Sequence, residues 1–151
     1  MISLTLIVKL VTNNINRSLI NYINCGLRMQ IKHRYKKGAN AERELAKILA
    51  SENFAVVRSA RSGGSISIPD ILGVRNGEVL AFECKTWKEK PRLKLEEHME
   101  LVDWCAKAKA RGFLAWRKRG EWLFLNLEDV KTKDITKEGL TLEDILNSVQ
   151  K

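Results

Sequence analysis

The chain has 151 residues, 44% of them apolar and 30% charged, with two prolines; this fits one folded domain and excludes wholesale disorder or a fibrous repeat. Its 27 lysines and arginines exceed 18 aspartates and glutamates, and the surplus lies early. Residues 1–28 carry three bases and no acid, 29–117 carry 18 bases against 11 acids, and 118–151 carry six against seven. A polyanion is the natural partner of such a chain, although charge alone does not separate DNA from RNA or an acidic membrane.

The stretch Ile2 to Val11 is apolar but interrupted by Lys9 and far short of the roughly 20 residues a membrane span needs, so no membrane anchor is expected. Thr12 to Asn24 is Asn-rich and acid-free. Residues 1–28 are expected to be a loosely attached extension or to lie upstream of the true start at Met29. The competing expectation is an added strand or a dimerisation arm, which would be protected from proteolysis. The remainder, residues 29–151, would then form the main domain. Cys25, Cys84 and Cys105 are widely spaced and form no CxxC or Cys/His metal pattern, which suits a reducing compartment: the cytoplasm, or that of a host if the chain is viral.

Ala41, Leu45, Ile48 and Leu49 recur at helical spacing, so a first helix is expected over 39–50, preceded by Gly38. A short strand is expected at Phe54–Val57, then a flexible basic loop over Arg58–Ser67 that is rich in serine and glycine. Pro69 leads into a strand at Asp70–Val74, and Asn76-Gly77 joins it as a hairpin to Glu78–Lys85. On that second strand Leu80, Phe82 and Cys84 face one way, and Ala81, Glu83 and Lys85 the other. A charged connection with Pro91 precedes a second helix, with Leu95, Met99, Val102 and Ala106 as its apolar face. Phe113–Trp116 and Trp122–Leu125 suggest another hairpin, and Thr141 caps a terminal helix over Leu142–Val149. The order predicts an α/β fold with a mixed central sheet flanked by helices.

The chemically informative pattern is Pro69-Asp70, twelve residues, then Glu83-Cys84-Lys85. Across the two-residue turn, Asp70 and Glu83 fall near the same end of the hairpin, and Glu83 and Lys85 share a face. Adjacent carboxylates repel unless a proton or a cation intervenes, and a hard divalent ion such as Mg²⁺ prefers oxygen ligands. Such an ion suits phosphodiester hydrolysis, with Lys85 beside the water or the developing charge and Glu42 completing the shell. A Glu/Lys pair on a solvated edge strand accounts for the bare spacing equally well.

Four blocks in order sharpen the choice: Lys36-Lys37-Gly38-Ala39-Asn40-Ala41-Glu42-Arg43-Glu44-Leu45, Phe54-Ala55-Val56-Val57-Arg58-Ser59, Pro69-Asp70-Ile71 and Glu83-Cys84-Lys85. Together they closely resemble the archaeal Holliday junction resolvases of the PD-(D/E)xK nuclease superfamily, over roughly residues 32–130. The resemblance implies a restriction-endonuclease-like fold and a homodimer acting as a Mg²⁺-dependent crossover junction endodeoxyribonuclease, with Mn²⁺ able to substitute. It implies Glu42, Asp70 and Glu83 as metal ligands and Lys85 as a catalytic lysine. A loop serine is implied as well, best matched by Ser62, with Ser59 and Ser65 as alternatives. Arg43 and Arg58 match basic residues near substrate; Lys36, Lys37, Arg61 and Lys88 join them as candidate DNA contacts. Four-way junction DNA is the implied partner, with room for contacts to other recombination or replication proteins. The alternatives are a related endonuclease acting on duplex or flap DNA and an inactive junction-binding module.

His33 and His98 are expected to be non-catalytic, His98 at a surface or interface. Trp104, Trp116 and Trp122 are expected to pack in the core or a dimer contact, leaving Trp87 as the aromatic best placed to stack on DNA. Phe113–Leu127 is open to two readings, a dimer surface or a buried sheet.

Overall fold

The computed structural model describes residues 4–59 and 67–149. The chain divides into two compact units, Met1–Lys37 and Gly38–Lys151. Helix α1 is assigned over Leu4–Ser51, so Gly38 lies inside a helix instead of preceding one, and no strand forms in the described part of 1–28. A glycine costs a helix only about 1 kcal/mol, and the first proline is Pro69, so nothing in this stretch forces a break. No helix among the described residues is long and apolar enough to cross a membrane.

The second unit is built on a five-stranded sheet in chain order: β1 (Ala55–Arg58), β2 (Ile71–Arg75), β3 (Glu78–Lys85), β4 (Arg111–Lys118) and β5 (Glu121–Asn126). Only β3 and β4 run parallel; the other neighbours are antiparallel. The parallel pair needs a crossover, and α2 (Leu95–Ala108) supplies it. Both hairpins turn on two residues with positive φ, Asn76-Gly77 at 52° and 82° and Arg119-Gly120 at 51° and 98°, the conformation that matches the twist of the flanking strands.

Alternation along the strands gives the sheet two apolar faces. On one, Leu45 and Leu49 of α1, Phe54, and Ile145 and Val149 of α4 (Leu142–Val149) cover Ile71, Leu80, Phe82, Phe113, Ala115 and Phe124. On the other, Leu101 and Cys105 of α2, Leu127, and Ile135 of α3 (Ile135–Glu138) cover Ala81, Leu114, Trp116 and Leu125. Gly112 is required here: a Cβ would sit 2.6 Å from Leu127 Cδ1 and 2.7 Å from Cys105 Sγ. The terminal helix is capped as its sequence suggests. The Asp144 amide donates to Thr141 Oγ1, and the Thr141 amide donates to Asp144 Oδ2 at 2.7 Å.

Two expectations change, and one open alternative is decided. The buried face of α2 is His98, Leu101 and Cys105, while Leu95 and Met99 are about 60% exposed. His98 is consequently interior, its Nε2 lying 2.6 Å from the Leu127 carbonyl oxygen. The carbonyl satisfies one ring nitrogen, while Nδ1 is buried without a hydrogen-bond partner; Leu101 and Cys105, packed on the sheet, set the buried face on which His98 falls. Phe113–Leu127 resolves as interior sheet: Phe113, Leu114, Ala115, Trp116, Phe124, Leu125 and Leu127 are all buried within the chain.

Phe82 occupies the centre of the first face, stacked on Phe113 at 5.6 Å and edge-on to Phe124 at 5.8 Å. Phe82→Ala should therefore lower unfolding stability by about 3–5 kcal/mol, read from the midpoint and slope of a urea titration.

Candidate active site

Strand register brings the acidic residues together. Ile71 pairs with Phe82, so one step further along the hairpin sets Asp70 opposite Glu83. Arg58 pairs with Ile71, and the next residue closes the same end of the sheet: the Ser59 amide donates to the Asp70 carbonyl at 2.8 Å and its hydroxyl to the Pro69 carbonyl at 2.6 Å. Beyond the last β2–β3 pair, the Cys84 amide donates to Asp70 Oδ2 at 2.9 Å, which fixes the carboxyl across the hairpin.

Glu83 and Lys85 share the α2 face of β3, as alternation requires. The Lys85 ammonium donates to Glu83 Oε1 at 2.8 Å and to Glu97 Oε1, in the first turn of α2, at 2.9 Å. Burial, and then the Asp70 charge, push the Glu83 carboxyl up to about 7 despite the opposing pull of Lys85. Burial by itself would depress Lys85, but the Glu83 charge and the hydrogen bonds to Glu83 and Glu97 outweigh it and hold the ammonium above its ordinary value. With carboxylates on both sides, the Lys85 ammonium is held beside Glu83 at the end of the strand.

Glu42 projects from α1, and Arg58 at the end of β1 donates to its Oε2 at 2.8 Å. Its charge still reaches the end of β3. The Cys84 thiol, on the opposite face of the strand from Glu83, is pushed well up by burial and then by Asp70, Glu83 and Glu42. Three carboxylates from a helix, a strand start and a strand end therefore share one electrostatic neighbourhood. Among the described residues, no group of three His, Cys, Asp or Glu side chains is arranged to hold a metal ion. The donor chemistry nevertheless suits a small hard cation. Mg²⁺ characteristically takes one or two carboxylates and fills its remaining positions with water and phosphate, and the hairpin brings the Asp70 and Glu83 carboxyl groups to one end of the sheet.

The other expected residues are distributed around this centre or lie apart from it. Arg43 is exposed on α1 and donates to Asn40 Oδ1 at 2.8 Å. Arg58 is engaged by Glu42, and Lys88 is exposed just after β3. Trp87 is 49% exposed while its carbonyl accepts from the Trp116 indole at 2.9 Å. Trp116 is buried, and Trp104 and Trp122 are partly buried against the two faces of the sheet. Lys36 and Lys37 are exposed on the α1 segment of the first unit. Arg61, Ser62 and Ser65 lie outside the described residues. Sequence reasoning missed Glu97; a carboxylate in a helix's first turn is common, and only the packing of α2 on β3 distinguishes this one.

Comparison with known proteins accords with this arrangement. The family model described as archaeal Holliday junction resolvase (Hjc) matches residues 33–151. The chain is 41% identical over 97 residues to the crossover junction endodeoxyribonuclease Hjc of Methanocaldococcus jannaschii, covering 64% of this chain and 70% of that protein. It is 31% identical over 121 residues to the crossover junction endodeoxyribonuclease Hje of Saccharolobus solfataricus, covering 76% and 90%. The solved structure of Archaeoglobus fulgidus Hjc, a Holliday junction resolvase from an archaeal hyperthermophile, aligns with a TM-score of 0.65 and 26% identity, covering 72% of this chain and 99% of that one. With a mixed sheet that ends in Asp70, Glu83 and Lys85 and a family match running from residue 33 to 151, the chain belongs to the archaeal Holliday junction resolvase family.

Proposed function

We propose that the protein is a homodimeric, Mg²⁺-dependent endonuclease that resolves four-way DNA junctions by paired phosphodiester hydrolysis. The observation that carries this reading is the buried Glu83, set opposite Asp70 and bonded to a charged Lys85, in a chain of the resolvase family. Asp70 and Glu83 hold the cation, with Glu42 supplying a further oxygen when Arg58 is drawn to phosphate. When bound, the ion polarises the phosphoryl oxygen and lowers the pKa of water. Lys85 stabilises the charge that builds on the phosphoryl oxygens. Ser62 helps to place the scissile phosphate. An inactive junction-binding module would have no need for a buried glutamate beside a second acid and a lysine.

Arg43, Arg58, Arg61, Lys36, Lys37 and Lys88 contact the DNA backbone, which orients a substrate without reading bases. Trp87, exposed just past Lys85, stacks on an opened base at the branch. A junction has approximate two-fold symmetry, and a C₂ dimer presents one site to each of two opposing strands. Residues 29–151 contain the whole nuclease domain, so a chain beginning at Met29 should cut a junction at the full-length rate in a matched time course.

Asp70→Ala should reduce junction cleavage on the order of 10³-fold while leaving junction affinity measurable by gel shift. Parental nicking by this variant would remove Asp70 from the site, and equal cutting of matched duplex by the parent would deny junction selectivity. Lys88→Ala should weaken all DNA forms alike and reduce the slope of log affinity against log salt by about 1, measured by fluorescence anisotropy.

The Glu83 carboxyl also links stability to pH. Its folded value of about 7 lies above the ordinary 4.5, so its stabilising share is complete below about 4.5 and is lost as pH rises through about 7. The metal-free thermal midpoint of wild type should fall more between pH 5 and pH 8 than that of Glu83→Gln. Added Mg²⁺ at pH 8 should raise the wild-type midpoint and leave the variant's nearly unchanged.

A further inference from the structure

Lys85 has two carboxylate partners of different origin. Glu83 lies on the same strand two residues away, whereas Glu97 comes from α2. Both bonds are short, 2.8 and 2.9 Å, and the three side chains are 7%, 13% and 26% exposed for Glu83, Lys85 and Glu97. Glu97 is held there by its helix. The adjacent His98 is buried against the Leu127 carbonyl, Leu101 and Cys105 are packed on the sheet, and Glu100 accepts from the Ser67 amide at 3.0 Å.

We propose that Glu97 is a positioning residue for the reaction: it anchors the Lys85 ammonium from α2, so that Glu83 can be committed to the metal without releasing the lysine. The inference rests on the nuclease reading given above. A lysine stem is flexible and its head is strongly hydrated. If Glu83 were its sole carboxylate partner, cation binding there would leave a nearly buried ammonium uncompensated, at a substantial desolvation cost. A second carboxylate on a separate, packed element removes that conflict. An ammonium has three N–H donors, so two carboxylate bonds leave one donor to meet a phosphate oxygen.

The test uses the full-length protein with Glu97→Gln and Glu97→Asp. In Mg²⁺, with protein saturating over a labelled four-way junction, Glu97→Gln should lower the single-turnover cleavage rate roughly 10–100-fold, with junction affinity within about twofold of wild type. Glu97→Asp keeps the charge and should recover most of that loss. A second readout needs neither metal nor cleavage: the ¹⁵Nζ–¹Hζ signal of the Lys85 ammonium, identified by its disappearance in Lys85→Met. It should be sharp in wild type and Glu97→Asp and broadened away in Glu97→Gln. The proposal is overturned if Glu97→Gln cuts at the wild-type rate, if its ammonium signal persists unchanged, or if its lost rate is matched by weaker binding or a lowered melting temperature. Failure of wild type to nick the junction would instead refute the nuclease reading, and the ammonium signal would still decide whether Glu97 holds Lys85.

Discussion

The register of one hairpin governs the chemistry of this molecule. Pairing Ile71 with Phe82 sets Asp70 across from Glu83, and a slip by one residue would turn Glu83 and Lys85 toward α1 and Phe82 toward α2. Two features hold that register. The Asn76-Gly77 turn adopts positive φ at both central residues, which fixes the loop at two residues. The burial of Leu80 and Phe82 on one face and Ala81 on the other then makes a one-residue slip exchange large and small side chains between two packed cores.

The same burial that secures the strand makes its acidic end costly. Glu83 is among the few polar side chains that are buried, and Asp70 adds repulsion to its desolvation. Lys85 offsets part of this, and Glu97 in turn supports Lys85. Positive charge nearby relieves such a repulsion, and Lys85 already supplies one cation to Glu83 at 2.8 Å. Glu42 stands in a different condition, neutralised by Arg58.

Much of this was legible from the residues. β3 has the expected bounds of Glu78–Lys85, and its two faces divide as alternation predicts. The second hairpin and the Thr141-capped helix follow their local signals, because turn and cap chemistry act over two to four residues. Where the chain departs from its local pattern, a distant partner is responsible. The α2 stripe of Leu95 and Met99 looks apolar in sequence, yet the helix packs Leu101 and Cys105 on the sheet and buries His98 beside them, with Nε2 at a carbonyl 29 residues away. Gly38 resembles a helix boundary only when the flanking residues are ignored; neither a proline nor a competing cap interrupts α1.

Asp70, Glu83, Lys85 and the turn between them are encoded within sixteen consecutive residues, so the sequence by itself determined the acidic hairpin, the alternation of its faces and the family. Tertiary structure decided the partners: Arg58 on Glu42, Glu97 on Lys85 and His98 on Leu127. Periodicity and turn chemistry report which way a side chain points. They carry no information on which other element meets it there, because that depends on how helices separated by tens of residues pack on the two faces of the sheet.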